Sequence, residues 1–133
     1  MSQELKYPLG EHERDRVRSR TDRPLTDLTL ERIRAGELGT NDFGIHPETL
    51  LGQARVAEEK GFTHLAANFR RAAELATVPD DKVLAIYEAL RPYRVTYDQL
   101  IALADELESE YDAHENARLM REAANVYRKR GLL

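Results

Sequence analysis

The chain has 133 residues, 41% apolar and only 7% aromatic, which suits one domain with a modest core. Its formal charge of −4 leaves no broad basic face for phosphate backbones or anionic lipid, so neither nucleic acid nor a membrane surface is an expected partner. Cysteine is absent, which excludes disulfides, thiolate nucleophiles and Cys-ligated zinc and suits a cytoplasmic protein. The opening MSQELKYPLG lacks the apolar core of a signal peptide, and nowhere do the roughly eighteen apolar residues of a membrane span run together.

Residues 1–24 show no sustained period and hold Pro8, Gly10 and Pro24 around a charged run, which predicts an irregular N-terminal arm with little core of its own. Residues 25–133 read as an all-helical domain, a compact bundle of about five to six short helices. The first starts at Leu25, carries Leu28 and Ile33, and stops at Gly36; a loop with Gly39, Asn41 and Gly44 follows. Pro47 suits the opening of the second helix, where its missing N–H would be unpaired anyway. His46 is its expected cap, and Leu50, Ala54 and Ala57 form its stripe before Gly61. The third, from about Thr63, places Leu65, Phe69, Ala72 and Ala76 on one face until Pro79 removes a backbone donor. Asp80 and Asp81 supply a cap and favourable charge to the fourth, with Val83, Tyr87 and Leu90 inward until Pro92.

Thr96 and Gln99 form a capping box for the fifth helix, striped by Leu100, Ala104, Leu107 and Tyr111. A sixth from about Ala113 offers Met120, Ala123 or Ala124, and Tyr127. No segment alternates with period two through β-branched residues, so the fold class is all-α. Stripes this rich in alanine let helices approach closely but bury little area apiece. At about 25 cal/mol per Å² of apolar surface, such a core leaves a thin margin over chain entropy, which packing against a larger partner would widen.

Catalytic machinery is not evident. The histidines, at 12, 46, 64 and 114, include no i, i+4 pair, so a helical zinc site is unsupported. Ser2, Ser19 and Ser109 lack a Gly-x-Ser-x-Gly frame, and the glycines are scattered singly rather than gathered into a phosphate cradle. Glu106, Glu110 and His114 share a helical line near Asp112 and Glu115, and a solvated acidic face explains them better than a metal site. No residue is therefore assigned to catalysis, to a cofactor or to a metal.

Two polar clusters fit partner contacts instead. The arm carries Arg14, Arg16, Arg18, Arg20 and Arg23, but Glu11, Glu13, Asp15 and Asp22 reduce the local charge to +1. No aromatics interleave for base stacking, so an acidic protein surface is the better match than nucleic acid. Around the end of the fourth helix, Tyr87, Arg91, Tyr93 and Arg94 form the other cluster; core packing explains Tyr87, and Arg91 and Arg94 could cap the last carbonyls or grip a partner.

The string RRAAELATVPDDKVLAIYEALRPYR at residues 70–94 is distinctive for a helical protein. Asn68 and Phe69 precede it, and ALADELE follows at 102–108; YPL at 7–9, LTDLTLE at 25–31, PETL at 47–50 and REAANVY at 121–127 complete an ordered set. From about Tyr7 to Leu133 the chain resembles the small (gamma) subunit of adenosylcobalamin-dependent diol and glycerol dehydratases. The resemblance implies a noncatalytic role, bracing a large barrel subunit beside a medium subunit in a dimer of heterotrimers. It also implies that adenosylcobalamin belongs to the assembled enzyme and is not bound by this chain, and that the enzyme converts a 1,2-diol or glycerol to an aldehyde and water by a radical route.

Asp112, His114 and Ala117 come one residue short of the D-x-H-x-x-G signature of cobalamin ligation, but their flanks are helical, so the match is read as accidental. Two departures stand out from the family pattern. Glu88 replaces the usual Asn in IYNALRP, and only six residues precede Tyr7, which argues against a microcompartment extension and leans towards glycerol. The competing reading is a helical protein-interaction module unrelated to cobalamin. A metal hydrolase built on residues 106–115 is a third, which requires the purified chain to bind metal and turn over substrate by itself.

Overall fold

The computed structural model describes residues 4–133, and it divides into two compact units, one ending at Ala76 and the other spanning Thr77–Leu133. Among the described residues every regular element is helical, with only two isolated bridges, Arg18 to Pro24 and Ser19 to Ile45. The fold is all-α, as the periodicity predicts.

In the first unit the arm contains a single helical turn, α1 (Leu9–His12), and Leu9 is buried. The expected helix from Leu25 divides into a 3₁₀ turn, Leu25–Asp27, and α2 (Leu30–Arg34). The division falls at Thr29, whose side chain accepts from the Arg32 N–H at 3.3 Å and so starts a new helix. Gly36, at φ +74, ends α2: its N–H meets the Ile33 carbonyl and the Glu37 N–H the Arg32 carbonyl, both at 3.0 Å. A 3₁₀ turn, Thr40–Phe43, occupies the expected glycine loop.

Helix α3 (Pro47–Glu59) opens as predicted: Pro47 is its first residue, and His46 Nδ1 accepts from the Glu48 N–H at 3.2 Å. Leu50, Ala54 and Ala57 are buried. Gly52 is buried too, and a Cβ there would lie 3.3 Å from Leu5 Cδ1 and 3.5 Å from Leu9 Cδ1, so the bare backbone of α3 is what seats the arm's leucines. The chain then folds back into α4 (Thr63–Leu75), which packs along α3.

The inward residues of α4 are Ala66 and Ala73, not the predicted Leu65, Phe69, Ala72 and Ala76 stripe; Leu65 is 46% exposed. Small side chains facing Ala54 and Ala57 let the backbones approach, which pushes the larger groups to the edge of the seam. There Leu65 and Phe69 join Tyr7 and Phe62 around a groove of about 270 Å³.

The second unit contains α5 (Asp80–Ala89), α6 (Tyr97–Tyr111) and α7 (His114–Arg130). Pro79, not an aspartate, occupies the cap of α5; Asp80 and Asp81 lie in the first turn, where they favour the dipole without capping it. Ile86 and Ala89 are buried, Val83 and Leu90 half-buried, and Tyr87, predicted to point inward, is 71% exposed. Residues 83, 86 and 90 form as good a helical stripe as 83, 87 and 90. Ile86 wins because it brings no hydroxyl that would need a buried partner.

Thr96 and Gln99 make the predicted capping box: the Gln99 N–H reaches Thr96 Oγ1 at 3.3 Å, and Gln99 Oε1 accepts from the Thr96 N–H at 2.8 Å. Helices α6 and α7 form a hairpin around Leu100, Ala104, Leu107, Ala117, Met120 and Ala124, all essentially inaccessible. Tyr97 fastens the pair on its outer side: its hydroxyl donates to Asn125 Oδ1 at 3.1 Å, and Arg128 stacks 4.0 Å over its ring.

Leu107 is 0% exposed in this hairpin. Leu107→Ala should destabilise the protein by about 2–5 kcal/mol, the range for a large-to-small core change, as read from the denaturant midpoint of the full chain.

Candidate functional site

The most exposed large apolar side chains of the second unit lie on α5 and the turn after it. Burial of Ile86 and Ala89 sets the rotation of α5, so Leu84 and Tyr87, one turn apart, face outward at 68% and 71% exposure. The chain then turns at Pro92 and Tyr93. Tyr93 has φ +62, a left-handed conformation that a bulky residue adopts only under constraint, and its side chain is 70% exposed. Its N–H donates to the Leu132 carbonyl at 2.8 Å, while the Tyr127 hydroxyl donates to the Leu90 carbonyl at 2.7 Å. These two bonds from the C-terminal end of the chain hold the turn on both flanks.

Arg91 and Arg94 flank this aromatic and share one carboxylate: Glu88 Oε2 meets Arg91 Nη1 at 3.0 Å, and Glu88 Oε1 meets Arg94 Nε at 3.2 Å. All three are about half exposed, so the pairs are weak, and two guanidinium groups against one carboxylate leave the cluster net positive. The structure thus brings Arg91, Tyr93 and Arg94 together as the sequence places them. It adds Leu84 and Tyr87, which the sequence reading left unremarked or assigned to the core. The signal for them was the i, i+3 spacing of two apolar residues opposite Ile86 and Ala89.

The arm arginines belong to the first unit and do not form one cluster. Arg16 pairs with Glu13 at 3.3 Å, Arg18 with Asp22 at 3.6 Å and Arg23 with Asp42 at 3.0 Å. Arg20 lies against Gly44, where a Cβ would fall 2.7 Å from its Nε, and Arg14 stands on the exposed turn after Glu13. Asp42 is the hub: it accepts from the Thr21 hydroxyl at 2.6 Å, the Gly39 N–H at 2.7 Å and Arg23, and these bonds hold its carboxyl below the usual range.

Residues 2–133 match the family described as dehydratase small subunit. The chain belongs to the dehydratase small-subunit family. It is 48% identical over 124 residues to the propanediol dehydratase small subunit of Citrobacter freundii, an alignment covering 93% of this chain and 72% of that one. It is 47% identical over the same length and coverage to the propanediol dehydratase small subunit of Salmonella typhimurium LT2. Membership decides against an interaction module unrelated to a dehydratase.

In this dehydratase small subunit, most of the acidic residues around His114 form ion pairs. Glu106 pairs with Lys82, Glu115 with Arg118 at 3.2 Å, and Arg121 with both Asp105 and Glu108. His114 Nδ1 meets Glu108 at 3.1 Å and Nε2 meets Asp112 at 2.7 Å, so both ring nitrogens are engaged. Among the described residues no group of three His, Cys, Asp or Glu is placed to hold a metal, and no buried side-chain nitrogen or oxygen lacks a partner. Asp112, at φ +55, forms the α6–α7 corner, and Ala117 is buried in the hairpin. Both imidazole nitrogens of the D-x-H-x-x-A string are thus engaged by carboxylates. No helix among the described residues is long and apolar enough to cross a membrane.

The bond from Arg121, then that from His114, lowers the Glu108 pKa below its ordinary 4.5; Glu108, then Asp112, raises that of His114 above 6.5. A raised histidine stabilises fully below its unfolded pKa and loses the contribution as pH climbs through its folded value. A lowered carboxylate stabilises fully above its unfolded pKa and loses the contribution as pH falls through its folded value. Both contributions are complete between 4.5 and 6.5. The melting temperature should fall as pH rises from about 6 to about 9, and this fall should be smaller in His114→Gln, as read by thermal melting across that range.

Proposed function

We propose that this chain is the noncatalytic small subunit of an adenosylcobalamin-dependent diol dehydratase, in which a 1,2-diol loses water to give an aldehyde. The observation that carries the reading is the family match over residues 2–133, joined to 48% identity with a propanediol dehydratase small subunit. Those relatives' names favour 1,2-propanediol as the substrate, against the lean towards glycerol from the length of the arm. When bound, adenosylcobalamin supplies the radical chemistry of the assembled enzyme. The groups that hold it belong to the other subunits on this reading.

The chain's own task is assembly. A large and a medium subunit complete a dimer of heterotrimers in the cytoplasm, and this subunit braces the large one. Its proposed contacts are Arg14, Arg16, Arg18, Arg20 and Arg23 on the arm and Arg91, Tyr93 and Arg94 after α5. The arm arginines that already pair with neighbouring carboxylates would have to exchange those partners for others, which keeps their expected contribution small.

The test is an omission assay. The large and medium subunits are expressed with and without this chain, and adenosylcobalamin-dependent aldehyde formation is measured from 1,2-propanediol and from glycerol. Loss of activity and of the fully assembled complex on omission is the expected result, with 1,2-propanediol the better substrate. Unchanged activity and unchanged complex would overturn the reading.

A further inference from the structure

We infer that the outer face of α5, from Leu84 and Tyr87 through Arg91, Tyr93 and Arg94, is the surface that docks the large catalytic subunit, which meets it with an apolar patch edged by carboxylates. The inference rests on the dehydratase reading above and selects, among the exposed surfaces of the chain, the one that carries the binding energy.

Three independent observations converge there. First, Leu84, Tyr87 and Tyr93 are each about 70% exposed, and tyrosine and arginine are the residue types that dominate interface energetics. Second, Tyr93 is held outward in left-handed backbone, a conformation better suited to glycine, and the surrounding hydrogen bonds from Tyr127 and to Leu132 sustain it. The aromatic is thus presented on a fixed turn, and a preordered anchor loses little freedom on binding. Third, among the described residues Arg91 and Arg94 pair with Glu88 alone, so a partner carboxylate would find an incompletely neutralised guanidinium pair. A purely apolar partner would leave that charge without a counterpart. The groove of the first unit, around Tyr7, Phe62 and Leu65, has apolar surface, but Lys60 is the one cation among its lining residues. The arm arginines have charge, but Arg16, Arg18 and Arg23 already pair with Glu13, Asp22 and Asp42.

The experiment measures binding of the purified full-length chain to the co-expressed large and medium subunits, by biolayer interferometry with the large subunit immobilised. Failure of the wild-type chain to bind would count against the dehydratase reading itself. With wild-type binding established, Leu84→Ala/Tyr87→Ala should bind at least about thirtyfold more weakly, the loss expected on removing interface anchors. Arg91→Glu/Arg94→Glu should also lose at least about tenfold, whereas Tyr87→Phe keeps wild-type affinity. Tyr93→Gly should keep or raise the melting temperature while lowering affinity, a combination that a merely structural tyrosine would not produce. The two α5 double variants change different side chains, all exposed, so a folding defect in one, seen by circular dichroism, leaves the other to decide. Affinities within about threefold of wild type for both would overturn the inference. So would a greater loss in the groove variant Phe62→Ala/Leu65→Ala than in either α5 variant.

Discussion

The constraint on which both units depend is the use of alanine where helices meet. Ala54, Ala57, Ala66 and Ala73 are buried in the α3–α4 hairpin beside Leu50 and Gly52, and Ala104, Ala117 and Ala124 are buried between α6 and α7. Small side chains allow close backbone approach and dense packing around the few large ones, Leu50 on α3 and Leu100, Leu107 and Met120 in the α6–α7 hairpin. Leu65, Phe62, Leu84, Tyr87 and Tyr93 are on the surface, at exposures that a free-standing protein of this size has little reason to carry. The economy of the core and the apolar exterior both suit a chain whose family designation is that of a subunit.

Within that frame, hydrogen bonds at the helix ends decide where functional side chains point. The capping box at Thr96 and the left-handed Asp112 fix the ends of α6, and the Tyr127 hydroxyl takes up the Leu90 carbonyl just past the end of α5. Because Leu132 accepts from Tyr93, the C-terminal segment also holds the turn that displays this aromatic. Helix ends, turn and exposed side chain form one mechanical unit.

The arm illustrates the opposite arrangement. Its leucines lie on Gly52, and Arg23, Thr21 and Gly39 converge on Asp42, so a segment without regular periodicity is nonetheless held by specific local chemistry. Charge in the arm is mostly spent within the first unit. Charge after α5 is shared between two arginines and one glutamate, which leaves it available.

Much of the fold was legible from the chain alone, because helix ends are local chemistry. The His46 and Pro47 start, the Gly36 stop, the Thr96–Gln99 box and the Leu100, Ala104, Leu107 stripe depend only on residues within a few positions of one another. Those signals, with the ordered family blocks, determined an all-α dehydratase small subunit. What they could not decide was which of two equally periodic faces turns inward. On α5, positions 83, 87 and 90 compete with 83, 86 and 90; on α4, the Leu65 and Phe69 face competes with Ala66 and Ala73. Periodicity is blind to that choice, since it is settled by the space left between packed backbones and by whether a buried hydroxyl would find a partner. The splitting of the first predicted helix at Thr29, the arm's seat on Gly52 and the outward Tyr93 likewise depend on hydrogen bonds and contacts that only the folded chain brings together.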